Sequence, residues 1–414
     1  AAGAASGAVP GGKAGAEFPA QKGRVSTPNG QSLPWRKVDG CKEFHLVAGE
    51  FEHEFAPGCV AKCWGYNGST PGPTIEAVEG DRVRILVTNN LPEGTSIHWH
   101  GILLPNGMDG VAGLNQEPIA PGETWAYEFT LRQEGTYLYH PHADELTQLA
   151  FGMMGFFIVH PRVPHDPPVQ RDYAILLHNW ALHPGTYRPD PSVMTEFDLW
   201  TFNSKVFPAT QALLAAQGER VRVRIANLSM HHHPIHLHGH RFQVTGSDGG
   251  RWPRNAWLPE VTTLIGVGQT RDLEFVADNP GDWALHCHMA HHTMNAMGHG
   301  IANSVGVKLG ELESRIRQRL PGFMPMGEGG MQQHLEHGEH MPAPENTLPM
   351  AQGRGPFGPI GMGGMLTILK VRPELKGDQD PGWYGGDSVP RARRVQPAAA
   401  STPDAHEHHH HHED

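Results

Sequence analysis

Cysteine is scarce: four occur in 414 residues, too few for a fold stapled by disulfides. Long apolar runs are absent, and none approaches the roughly 20 residues that cross a bilayer as a helix, which excludes a helical membrane span. Positive charge is in deficit. Lys plus Arg number 32 against 43 Asp plus Glu, a formal net charge of −11, and this argues against a nucleic-acid partner. The chain opens at AAGAASGAVPGG with neither an initiator Met nor a signal-peptide pattern. The expectation is the mature form of a secreted or periplasmic protein. Such a compartment permits disulfides. Cys41, Cys59 and Cys63 lie together with no histidine at ligand spacing beside them, so a bridge from Cys41 to Cys59 or Cys63 is expected, with one thiol left over.

Metal-binding side chains are abundant instead. Thirty His and 15 Met supply nitrogen and thioether donors, the set that suits a transition metal. The terminal AHEHHHHHED, a tag or a metal-scavenging tail, is set aside from the fold.

Residues 1–35 are Ala, Gly, Pro and Ser with few large apolars and are expected to be disordered. From Trp35 onward the chain alternates. DRVRILVTNN puts Val83, Ile85 and Val87 on one face and ETWAYEFTL does so with Trp125, Tyr127 and Phe129, with Gly or Pro turns between such runs, the pattern of an all-β sandwich. The pattern also repeats. DRVRILVTNN then SIHWHG (81–101) is echoed by ERVRVRIANL then PIHLHG (219–239), and GETWAYEFTLRQEGTYLYHPH (122–142) by GQTRDLEFVADNPGDWALHCH (268–288). Two copies of one β domain follow, expected at 36–163 and 173–373, joined by VPHDPPVQR near 164–172. LGELESRIRQRL (309–320) reads as a helix and MGGMLTILKVRPEL as a returning strand. Residues from about 309 to 360 are therefore an expected Met/His-rich insertion in the second domain, and 374–414 an expected tail.

Four His-x-His units stand at equivalent places in the two copies: His98/His100, His140/His142, His236/His238 and His286/His288. On an extended segment each pair points to one face and the residue between to the other. One such pair would be unremarkable on a surface; four at matched positions indicate metal. In the last unit the residue between is Cys287, where the first copy has Pro141. A thiolate, two imidazoles and a long thioether make a blue-copper site, and His233, Cys287, His292 and Met297 supply them. Met294, close by, and Met365, at the head of the returning strand, are the other candidates.

Through HWHG, HPH, HPIHLHG and HCHxxxHxxxxM the chain resembles the multicopper oxidases, and in length and spacing their two-domain, laccase-like group. The resemblance covers about 40–310 plus the returning strand. It implies two cupredoxin-like Greek-key β-sandwich domains and four coppers per subunit. His98 and His236 would hold the type 2 copper; His100, His140 and His288 one type 3 copper, and His142, His238 and His286 the other. His233, Cys287, His292 and Met297 would hold the type 1 copper in the second domain. Asp109, in NGMDGVAG, matches an acidic residue beside the cluster, whereas Thr293 stands where a second acid often follows. The implied assembly is a homotrimer with trinuclear clusters at subunit interfaces. The implied reaction takes electrons singly from a phenolic or aromatic reductant, through an exposed edge of His233 or His292, and reduces dioxygen to water. Met324, Met326, Met331, Met341 and Met350 suggest Cu(I) as a reductant too. A copper nitrite reductase or a copper storage protein are the readings from other classes.

Overall fold

Alternation read from Trp35 onward becomes strands with one buried face. In the computed structural model, which describes residues 25–295, 302–303, 308, 310–319, 325–326, 345–349, 353–385 and 390–393, the first such strands are Trp35–Val38 (β1), Cys41–Ala56 (β2), Cys59–Tyr66 (β3), Gly72–Val78 (β4) and Arg82–Asn89 (β5). Thr124–Thr130 (β6), Gly135–Tyr139 (β7), the helix Glu145–Ala150 (α1) and Gly155–His160 (β8) follow. One sheet runs β1-β2-β5-β6 with β3 added on β2, and the other β4-β8-β7. Their inner faces share one core in which Val83, Ile85, Val87, Trp99 and Phe157 are fully buried. Each large apolar side chain so placed contributes about 1.5–3 kcal/mol.

The second copy repeats the plan with Arg171–Trp180 (β9), Leu199–Phe202 (β10), Leu213–Ala216 (β11), Arg220–Asn227 (β12), His233–Leu237 (β13), Phe242–Ser247 (β14), Gly250–Arg251 (β15), Leu258–Glu260 (β16), Thr262–Ile265 (β17), Thr270–Val276 (β18) and Gly281–Cys287 (β19). The helix Glu311–Arg319 (α2) forms where expected, among the two-residue strands Ala302–Asn303 (β20), Pro325–Met326 (β21), Arg354–Gly355 (β22) and Gly358–Pro359 (β23). Leu366–Arg372 (β24) then returns, antiparallel to β19 and parallel to β11. The ladders match across the repeat. β2 pairs β5 in parallel and β5 pairs β6 antiparallel, as β9 pairs β12 and β12 pairs β18. β4-β8-β7 corresponds to β11-β24-β19.

Two expectations are corrected. Residues 25–34 belong to the folded part: Val25 and Leu33 are buried and Ser26 bridges to Tyr173. No disulfide forms, because all four cysteines are free and buried. Cys59 and Cys63 share β3 and, at about 3.3 Å per residue, stand roughly 13 Å apart, whereas a disulfide needs Cα atoms within about 7 Å. Cys63 lies opposite Phe51, far along β2 from Cys41 at its start. Cys59 and Cys63 instead help fill an apolar layer shared by the two sandwiches, with Phe55, Phe156, Leu176 and Trp180, and burial pushes the Cys59 thiol up to about 12.

A buried ionic network also joins the sandwiches. Arg224 on β12 makes a fork with Asp172 on β9, 2.8 Å on each arm, and donates to Thr136 of β7 at 2.7 Å. The Thr136 hydroxyl donates in turn to Asp272. The Arg224 guanidinium and its neighbour Arg222 hold the Asp172 carboxyl below its ordinary range against the opposing effect of burial, which is the largest single influence.

Candidate metal centres

The residue between each histidine pair anchors that pair. Trp99, Leu237 and Cys287 are at most 3% exposed and Pro141 is buried, so the flanking imidazoles are turned the other way. His98 bridges to His140 as an antiparallel pair and His236 pairs with His286 in the β13–β19 ladder. Four rings therefore gather twice. In the first quartet, ring centroids separate by 5.4 Å for His98–His140, 5.6 Å for His98–His142, 5.5 Å for His100–His140 and 6.2 Å for His140–His142. In the second, the corresponding pairs His236–His286, His236–His288, His238–His286 and His286–His288 stand at 5.6, 5.6, 5.2 and 5.8 Å. The tilts agree as well, 51° against 49° and 29° against 28° for the last two pairs. Among the described residues, no ring of one quartet contacts a ring of the other.

Backbone carbonyls fix which nitrogen each ring offers. Nδ1–H donates from His98 to the Asp109 carbonyl (2.9 Å), from His140 to that of Pro141 (3.0 Å), from His236 to that of Val261 (2.7 Å) and from His286 to that of Cys287 (2.8 Å). Nε2 is left as a lone-pair donor in all four, the arrangement by which outer partners orient metal ligands. Burial lowers the His140 pKa to about 3 and lowers those of His100, His238 and His286 as well, which keeps these rings neutral. His286 Nε2 lies 3.0 Å from His238 Nε2, and His140 Nε2 3.3 Å from His100 Nδ1. Lone pairs facing one another at such distances need a shared proton or cation. His98, His100 and His140 do bring one donor each within 4.8 Å of one another.

Asp109 stands where expected, its carboxylate 3.4 Å from His98 Nδ1. The following Gly110 has φ +85°, and a Cβ there would fall 1.6 Å from the Ile97 carbonyl oxygen, so glycine permits the loop to reach the histidine strand. One carboxylate escaped the sequence reading: Glu145 lies 3.6 Å from His140 Nδ1 and 3.7 Å from His142 Nε2. Its position one helical turn after His142, at the start of α1, was the available signal. The first quartet lines a cleft of about 630 Å³ with Leu146, Met230 and Val267 at its wall.

On the other face of β19, Cys287 Sγ lies 3.6 Å from His233 Nδ1 and 3.3 Å from His292 Nδ1, which are 3.0 Å apart. All three are fully buried. Burial pushes the Cys287 thiol up to about 12 and the His233 imidazole down to about 3, so the thiolate requires a cation for company. His233 Nε2–H donates to the Ser229 hydroxyl at 2.6 Å, which aims Nδ1 inward, and Ser229 donates to Asn227 Oδ1 at 2.7 Å. Three convergent donors, a thiol and two imidazoles, one of them with its tautomer set by Ser229, fit a copper ion of the blue type. The expected exposed ligand edge is not there, since His233 and His292 are both 0% exposed. Trp200 covers His292 instead, stacked at 3.6 Å and 19°, a contact between residues 92 positions apart that no spacing pattern marks. Met297, Met324, Met331, Met341 and Met350 lie outside the described residues, and Met326 lies in β21.

Comparison with known proteins agrees with this geometry. Profiles of the family described as Multicopper oxidase match residues 50–164 and 184–306, together more than half of the chain. A Copper resistance protein A homolog of Pseudomonas syringae pv. tomato is 40% identical over 34% of this chain and 23% of its own. Laccase-2 of Botryotinia fuckeliana is 33% identical over 58% of this chain and 45% of its own. The chain thus spans under half the length of these curated relatives. The crystal structure of Blue Copper Oxidase from Nitrosomonas europaea superimposes with a TM-score of 0.60 at 27% identity, covering 80% of this chain and 85% of that one. With both histidine quartets and the cysteine site inside the matched segments, the chain belongs to the multicopper oxidase family, as a laccase-like member built of two cupredoxin-like sandwiches.

Proposed function

We propose that the protein is a copper oxidase that couples one-electron oxidation of a reductant to the four-electron reduction of dioxygen to water. The observation that carries this is the division of labour across β19: Cys287 faces a buried two-histidine site while His286 and His288, its neighbours in sequence, face the second quartet. Copper bound at both places would take up electrons singly at the cysteine and deliver four to dioxygen at the histidines. The chain supplies the connection. The Cys287 carbonyl accepts the His286 Nδ1–H, so main chain and hydrogen bond join the two sites, and Asp109 and Glu145 stand beside the first quartet to hold or move protons.

In this reading His98 and His236 hold one copper, His100, His140 and His288 a second, His142, His238 and His286 a third, and the Cys287 site a fourth. Because each quartet is formed within one sandwich and the two remain apart in the chain, the first quartet of one subunit completes the second quartet of the next. A head-to-tail ring satisfies this for every subunit, and a secreted or periplasmic homotrimer is the assembly proposed. Phenolic or aromatic compounds are the proposed reductants. Cu(I) is the second reading, favoured by likeness to the Copper resistance protein A homolog.

Oxygen uptake by the copper-loaded protein, compared with a phenol and with Cu(I), tests the reading. A blue absorption band is expected that Cys287→Ser abolishes while the type 2 EPR signal survives. A blue Cys287→Ser variant, or nitrite turnover without oxygen consumption, would refute it.

A further inference from the structure

We infer that Met365 is the thioether of the cysteine-centred site, an inference that rests on the copper reading of that site. Register is the first reason. β19 and β24 run antiparallel with His286 opposite Leu366, and the ladder continues with the Cys287 amide donating to the Met365 carbonyl at 3.1 Å. Met365 is therefore the cross-strand neighbour of Cys287, and side chains so placed share one face with Cβ atoms about 5 Å apart. That face carries the metal donors. On the other flank Cys287 is opposite Ile235 of β13, and His233 precedes Ile235 by one β-repeat, on the same side of its strand.

The backbone also ties Met365 to the remaining ligand. Its amide donates to the His292 carbonyl at 3.0 Å. Gly364 beside it has φ +55°, and a Cβ there would fall 2.4 Å from that same carbonyl oxygen, so the close approach of the two segments depends on glycine. Met365 is 0% exposed and belongs to the same apolar cluster as Cys287.

The internal repeat is an independent observation. Gly135 lies opposite Val159 in the first sandwich as Gly281 lies opposite Val371 in the second. Carrying that register back along β8 and β24 sets Met153 over Met365 and Gly152, φ +107°, over Gly364. Both methionines are fully buried. The first copy has Pro141 where the second has Cys287, so the same methionine position only fills a core in one copy and stands beside a thiol and two imidazoles in the other. A weak, long axial thioether is what a trigonal His₂Cys copper site takes, and its strength tunes the potential. The long stretch between β19 and β24 explains why spacing from Cys287 in the sequence points to Met297 instead.

Met365→Leu and Met365→Gln, with Met297→Leu beside them, test this in the full-length copper-loaded protein. Leucine conserves volume, so the core is retained. The expected result is a shifted or lost blue band and a raised reduction potential in Met365→Leu, a lowered potential in Met365→Gln, and wild-type values for both readouts in Met297→Leu. Unchanged band and potential in the two Met365 variants, or a shift in Met297→Leu alone, would overturn the assignment. Failure of the copper reading is separate and visible beforehand, as a wild-type protein with no blue band.

Discussion

At the scale of single residues, the rings around His292 decide how the cysteine site meets its surroundings. Both histidines of the cysteine site are buried, so in the proposed reaction an electron would reach them through the rings packed on them. Trp200 lies cofacial with His292 at 3.6 Å, and the partly exposed His231 lies near-parallel to Trp200 at 5.2 Å. Replacing Trp200 by leucine is expected to slow anaerobic bleaching of the blue band by a reductant about tenfold, the usual cost of losing a partner of a metal ligand, and Trp200→Phe to restore most of it. An unchanged bleaching rate in Trp200→Leu would send the electrons by another route, such as the exposed His291, whose ring stands edge-on to His292 at 4.2 Å. The donors were legible in the sequence because period-two spacing and repetition mark them: all eight quartet histidines gather as the His-x-His units imply, and Cys287 faces away from them. The residues that orient those donors were not. Ser229 and Trp200 approach through tertiary packing, and the one cue for Glu145 was its place three residues after His142.

At the scale of elements, the strands followed from alternation and the repeat predicted their pairing, down to the returning strand β24 far from its partner β19 in sequence. Alternation fails where both faces of a strand are buried. β12, RVRVRIAN, reads as an amphipathic strand with arginines outward, yet Arg222 and Arg224 are only 6% and 2% exposed, because β7 of the other sandwich covers them and Asp172 and Glu274 neutralise them. The disulfide expectation failed for a related reason: sequence proximity of the three cysteines said nothing of how far apart β2 and β3 hold them. Asp172→Ala leaves the buried Arg224 without its main counter-charge and is expected to cost about 3–5 kcal/mol, read as a lower denaturant midpoint with an unchanged slope. Replacing the pair together, Asp172→Leu with Arg224→Leu, should recover most of that loss. A single variant as stable as the wild type would show that water reaches the layer.

At the scale of the whole molecule the two quartets are near-copies in spacing and tilt, and among the described residues no ring of one contacts a ring of the other. If each quartet is completed by a neighbouring subunit as proposed, assembly and metal loading become one event, whereas the donors of the Cys287 site come together within one chain. The four His-x-His units led to the expectation that eight imidazoles converge; that one chain gathers them as two fours depends on how the sandwiches pack, which spacing does not reveal. Subunit complementation tests this most directly. His140→Ala cripples the first quartet and His238→Ala the second, each leaving the Cys287 site intact. The two variants are assembled separately and together, loaded with copper, and compared for oxygen uptake. Sites shared between subunits predict two inactive homo-assemblies and a mixed assembly that recovers oxygen uptake, because an intact first quartet of one variant meets an intact second quartet of the other. A mixture as inactive as its parts would contradict the account.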